Sequence, residues 1–152
     1  MMQTDDAFQI TQDFLDRQGE VTLAGDIDAT LEYCDLPCTL ESMDTLTVVT
    51  DWDQMRAICV RFVEELRARR VSHTIRECRE AVRKDDTTIW AAYETRHVSD
   101  GKFLNEDPYS AFLILKKRGG QWKISTMQFA VDRDSAVNAS LTDWAAAISK
   151  AV

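Results

Sequence analysis

Histidine and proline are scarce in this chain, at two residues each in 152, and glycine occurs only five times. Basic residues are in deficit too: 18 Lys and Arg stand against 26 Asp and Glu, for a net charge of −8. That balance argues against a nucleic-acid partner, because binding a phosphate backbone needs a concentrated basic surface. The local basic stretch from Arg67 to Lys84 is interleaved with Glu64, Glu65, Glu77 and Glu80, so it reads as a solvated, salt-paired face. No apolar run approaches the roughly 20 residues that a membrane-spanning helix requires, and no membrane association is expected. Met1 to Asp6 lacks the basic and apolar regions of a secretory signal. The four cysteines, Cys34, Cys38, Cys59 and Cys78, form no paired framework of the kind found in secreted domains, so reduced thiols in a cytoplasm are expected. Cys34 and Cys38 are four apart, but Pro37 interrupts the geometry and no Cys or His doublet completes a set of four, so no metal is expected. Phosphate loops, dinucleotide fingerprints and serine-hydrolase elbows are missing as well, and no cofactor is implied.

What is present has the length of one domain, residues 1–152, with a core over about 5–131. A first helix is expected to open at Thr4-Asp5-Asp6, bury Phe8, Thr11, Phe14 and Leu15, and stop near Gly19. A second opens at Asp26, carries Ile27, Leu31 and Cys34 at helical spacing, and ends at Pro37. Cys38 to Thr50 reads as a small hairpin turning at Glu41 to Asp44. The third helix is the clearest: Asp51 and Gln54 stand at N-cap and N3, and Met55, Ile58, Cys59, Phe62 and Leu66 recur on one face. Strands are expected over Val71–Val82, Thr87–Val98, Tyr109–Lys117 and Gln121–Val131, with a tight turn at Gly119-Gly120. A final helix over about 138–150 places Leu141, Trp144, Ala145 and Ile148 on one side. The fold class is therefore α+β: a strongly curved antiparallel sheet packed against three N-terminal helices, with a short C-terminal helix. Ala111-Phe112-Leu113-Ile114-Leu115 is apolar on both faces and so needs two covers, the helices and a second copy of the chain. A homodimer through the convex sheet face is the expectation.

Two segments carry a family resemblance. Tyr33-Cys34-Asp35-Leu36-Pro37-Cys38-Thr39-Leu40 resembles a helix-to-strand corner, and Tyr109 to Ile124, with its Gly-Gly turn and Trp122-Lys123-Ile124 strand, resembles a terminal hairpin. Both are similar to bacterial members of the nuclear transport factor 2-like superfamily, the cone-shaped fold of ketosteroid isomerases and polyketide cyclases. Over about Asp5 to Val131, the resemblance implies a cone whose interior holds either a small apolar or aromatic ligand or an acid–base active site. Asp35 falls near the corner where the isomerases often place a carboxylate. Tyr93 and His97 share one parity with Ile89 and Ala91, and His73 shares parity with Val71 and Ile75, so each is a candidate cavity residue. Tyr33, Trp52, Phe112, Met127 and Phe129 are candidate apolar lining. Each of these also has an ordinary structural reading, as a turn acid, a hydrogen-bonded tyrosine or a core residue. Glu94 and Arg96 take the opposite parity, suited to cross-strand pairing with Glu77 or Arg79. Three functions stay open at this point: a small-molecule-binding domain, an isomerase-, dehydratase- or cyclase-type enzyme, and a protein-interaction module.

Overall fold

The structure, a computed structural model, describes residues 6–131 and 135–141. Helix α1 spans Ala7–Leu23 and α2 spans Ile27–Leu31; strands β1 and β2 span Cys34–Glu41 and Leu46–Val49. Helix α3, Trp52–Ala68, is followed by β3 (Val71–Asp85), β4 (Thr88–Ser99), β5 (Phe103–Leu104), β6 (Tyr109–Arg118) and β7 (Gln121–Phe129). Residues 136–141 are the described part of a fourth helix, α4. Among the described residues no helix is long and apolar enough to cross a membrane.

The strand order β2-β1-β7-β6-β4-β3, with β5 beside β4, makes one sheet of seven strands. It is mixed: β3, β4, β6 and β7 form the expected antiparallel meander, whereas β1 runs parallel to β7. A parallel pair needs a long crossover, and here the crossover from β1 carries α3 and the whole meander before the chain returns as β7. That return rolls the sheet around α1 and α3 into a cone. The concave face buries Ile89, Leu113 and Leu115 at 0% exposure, together with Ile124. Phe112 and Ile114, on the other face of β6, are only half buried.

Helix α3 forms where its caps place it. The Asp51 carboxylate accepts from Gln54 N at 2.8 Å, and Gln54 Oε1 accepts from Thr50 N at 3.0 Å, a reciprocal pair that satisfies two otherwise orphaned donors. Helix α1 runs past its expected stop at Gly19 to Leu23 and is closed off at Gly25. There Gly25 N donates to Thr22 O and Asp26 N to Val21 O, both at 3.0 Å, in a Schellman arrangement that needs the left-handed backbone of Gly25 (φ 80°). A Cβ at Gly25 would also lie 2.2 Å from Arg67 Nη2.

The second helix is a correction: it closes at Leu31, and Cys34 and Pro37 belong to β1, with Leu36-Pro37 as a cis peptide. Proline is accommodated in this strand because the β1–β7 register shifts between Cys34 and Thr39, so no ladder bond needs its missing N–H. The expected start at Thr4 and Asp5, and the expected Trp144, Ala145 and Ile148 of the final helix, lie outside the described residues. Helix α4 starts at residue 136, two residues early, with Ser135 Oγ accepting from Asn138 N at 3.0 Å. Asn138 ties it to the β1–β2 turn by accepting from Ser42 Oγ at 2.5 Å and donating to Asp44 at 3.1 Å.

Candidate functional site

The cone holds a partly open cavity of about 110 Å³ whose walls come from α1, α2, α3, β1, β3, β4, β6, β7 and α4. One side is apolar. The α3 stripe of Met55, Ile58, Cys59, Phe62 and Leu66 faces Ile124, Met127 and Phe129 of the sheet across it. The thiols of Cys34, Cys38 and Cys59 belong to the same lining.

The other side is polar, and strand register builds it. Inward positions of β3 and β4 stand opposite one another as Thr74 with His97, Arg76 with Thr95, and Cys78 with Tyr93, and β6 adds Tyr109 opposite Thr95. His97, 2% exposed, uses both ring nitrogens: Nε2 lies 3.1 Å from Tyr109 Oη and Nδ1 lies 3.2 Å from Thr74 Oγ1. Tyr93, also 2% exposed, stands beside Arg76, whose guanidinium carbon is 6.0 Å from the Tyr93 ring centre. Helix α1 holds that guanidinium from above, through Nη2 bonds of 2.5 Å to Leu15 O and 2.5 Å to Gln18 Oε1.

Of the residues read from sequence, Tyr93, His97, Met127 and Phe129 meet at this cavity. The others lie elsewhere. Asp35, the second residue of β1, pairs with Arg118 at 2.9 Å outside the lining. His73 is exposed and shares a bond of 2.9 Å with Ser72; a bulge at Ser72 shifts the β3 register between Val71 and His73 and sends Thr74 and Arg76 inward instead. Trp52 is half exposed at the start of α3. Phe112 points to the convex face, edge-on to Trp90 at 6.0 Å between ring centres. Tyr33 packs edge-on against Phe14 at 5.3 Å, in a separate groove beside Trp122. Arg76 and Tyr109 were missed by the sequence reading. Arg76 looks like one more member of a charged, solvated stretch until the bulge is known, and Tyr109 opens a strand that is apolar on both faces in sequence, so that only its burial alongside Ala111 and Leu113 in the structure turns it inward.

No family model matches the chain, and no curated protein matches it in sequence. Solved structures do. A nuclear transport factor 2-like protein of unknown function from Shewanella oneidensis MR-1 superposes with a TM-score of 0.66 at 14% identity, covering 81% of this chain and 98% of that one. This chain has the nuclear transport factor 2-like fold. A ketosteroid isomerase-like protein from Erwinia carotovora atroseptica SCRI1043 (TM-score 0.62, 12% identity, 84% of this chain and 97% of that one) shares it. So does a protein of unknown function from Nostoc punctiforme pcc 73102, described as having a cystatin-like fold (0.64, 12%, 88% and 97%). At these identities the likeness concerns the fold alone.

Within this nuclear transport factor 2-like cone, burial sets the protonation of the polar groups. Burial pushes the His97 pKa down to about 4, with repulsion from Arg76 and Arg69 adding to the shift, so the imidazole is neutral at pH 7. Burial raises Tyr93 to about 12 against the opposing pull of Arg76, and raises Tyr109 further, with Tyr93 and Glu106 adding to that shift. Both phenols are therefore protonated donors. The thiols are held protonated in the same way: Cys38 rises to about 12 and Cys59 to about 11, mainly by burial. Among the described residues the lining carries no carboxylate. Glu106 stands just behind it, 3.8 Å from His97 Nε2 and 3.6 Å from Arg69.

Proposed function

We propose that the cone binds a small molecule of about one ring, with its apolar body against the α3 stripe and one polar group turned toward Arg76, Tyr93, His97 and Tyr109. The observation that carries this reading is the division of one cavity into an apolar wall and a cluster of convergent donors. Size limits the ligand: an engineered apolar cavity of about 150 Å³ takes up benzene, and this one is about 110 Å³. The test is binding of phenol and benzoate, followed by ligand-observed NMR, to the wild type and to Cys59→Phe, which fills the apolar side. Binding to the wild type that is lost in the filled variant supports the reading; equal binding to both places the ligand elsewhere.

A second reading, acid–base catalysis, draws on the His97–Tyr109 contact at 3.1 Å, an imidazole and a hydroxyl within reach of one substrate atom. A group with a pKa of about 4 is a weak base at neutral pH, where general bases work best near 7. Binding is accordingly the reading put first.

The convex face supports a homodimer. Trp90, 44% exposed, stacks edge-on with Phe112 beside Ile114, and a charged lattice borders them, with Arg96 on Glu77 at 2.8 Å and Arg79 on Glu94 at 3.4 Å. Light scattering should give twice the chain mass for the wild type and a monomer for Trp90→Asp. A wild-type monomer at tens of micromolar contradicts it.

A further inference from the structure

Among the described residues, Arg76 is the one side chain lining the cavity that carries a formal charge at neutral pH. Its partners are neutral. Nη2 donates to a backbone carbonyl and to a side-chain amide, the Tyr93 ring lies beside the guanidinium, and among the described residues Arg76 makes no ion pair. The neighbouring cation is different: Arg69 is spent on Glu65 at 2.8 Å and Glu106 at 3.6 Å.

Sequence and packing both make room for the Arg76 charge. Gly19 sits in mid-helix in α1, where glycine costs on the order of 1 kcal/mol relative to alanine. A Cβ there would stand 3.1 Å from Arg76 Nη2. Helix α1 thus accepts a poor helix former at the point where the guanidinium enters the cone.

A partly buried cation held by neutral acceptors, beside two protonated phenols, is a receptor for negative charge. Resting on the small-molecule reading above, we infer that the ligand is a monoanion, a one-ring or similarly compact carboxylate whose oxygens meet Arg76 and the Tyr93 and Tyr109 hydroxyls. A carboxylate matches the planar fork of a guanidinium. A phosphate dianion would call for a second cation, and Arg69 is already neutralised.

The experiment compares benzoate with benzamide, a neutral molecule of nearly the same shape, by calorimetric titration of the wild type and Arg76→Gln at pH 7. The wild type is expected to bind benzoate at least tenfold more tightly than benzamide. In Arg76→Gln that preference should fall below threefold. Equal affinities in the wild type, or a benzoate preference that survives in Arg76→Gln, overturn the anion inference and leave ring binding standing. Failure of benzoate, benzamide and phenol alike to bind overturns both. Should Arg76→Gln not fold, the wild-type ratio decides alone, because it needs no variant.

Discussion

Burying neutral His97 in the cone should make the protein acid-sensitive in a way that can be traced to that one ring. The imidazole has a pKa of about 4 when folded against an ordinary value of 6.5. Because the folded value is the lower one, the unfolded chain binds the proton more tightly. The penalty is therefore absent above pH 6.5, grows as pH falls through 6.5, and levels off below about 4. The full gap is worth about 3 kcal/mol, and at pH 4.5 about 2.5 kcal/mol of it should be felt. Urea unfolding of the wild type and of His97→Gln at pH 7.5, 6, 5 and 4.5 reads this directly. Other titrating groups affect both proteins alike, so the difference between the two curves isolates His97. Wild-type stability is expected to fall more steeply, closing on the variant by about 2.5 kcal/mol over that range. Parallel curves would refute the argument, as would a His97 ring resonance that titrates near 6.5 in a His73→Gln background.

Three further outcomes follow from specific contacts. Asp51→Ala removes the 2.8 Å cap on Gln54 N and should cost about 1 kcal/mol in urea unfolding; no change would mean that the capping box is not formed in solution. Leu113→Ala, at a fully buried position in central strand β6, should cost about 2–5 kcal/mol in the same assay, and a loss below 1 kcal/mol would contradict a packed concave face. Asp35→Asn breaks a pair whose arginine is 61% exposed, so the melting temperature should move only slightly and benzoate affinity should hold; lost binding would return Asp35 to the site.

Local rules carried much of the fold. Asp51 and Gln54 announce α3 because capping is a matter of a few adjacent residues, and the same stripe that reads as buried, Met55 to Leu66, turns out to line the cavity. The Gly119-Gly120 turn and the β4 alternation were equally legible, and the alternation placed Tyr93 and His97 on the inner face. What did not show is long-range or depends on a single extra residue. The parallel β1–β7 pairing joins segments about 90 residues apart with no local signature, and it takes Cys34 and Pro37 away from the helix their spacing suggested. The bulge at Ser72 reverses parity, so the reading put His73 inside and Arg76 outside, the opposite of the structure. The most informative charge in the cavity was hidden by one inserted residue. Asp35 misled for another reason: a carboxylate at the corner was read by likeness to the isomerases, while Arg118 at the far end of β6 claims it.

The central claim is that the cone holds a compact ligand between the α3 stripe and the Arg76–Tyr93–His97–Tyr109 cluster. Methionine-methyl NMR tests it most directly, because Met55 and Met127 line the cavity whereas Met43 is 75% exposed. On titration with phenol and with benzoate, the Met55 and Met127 methyls should shift and show contacts to ligand ring protons, with Met43 unmoved. Unshifted Met55 and Met127 methyls under saturating concentrations of both ligands would contradict it.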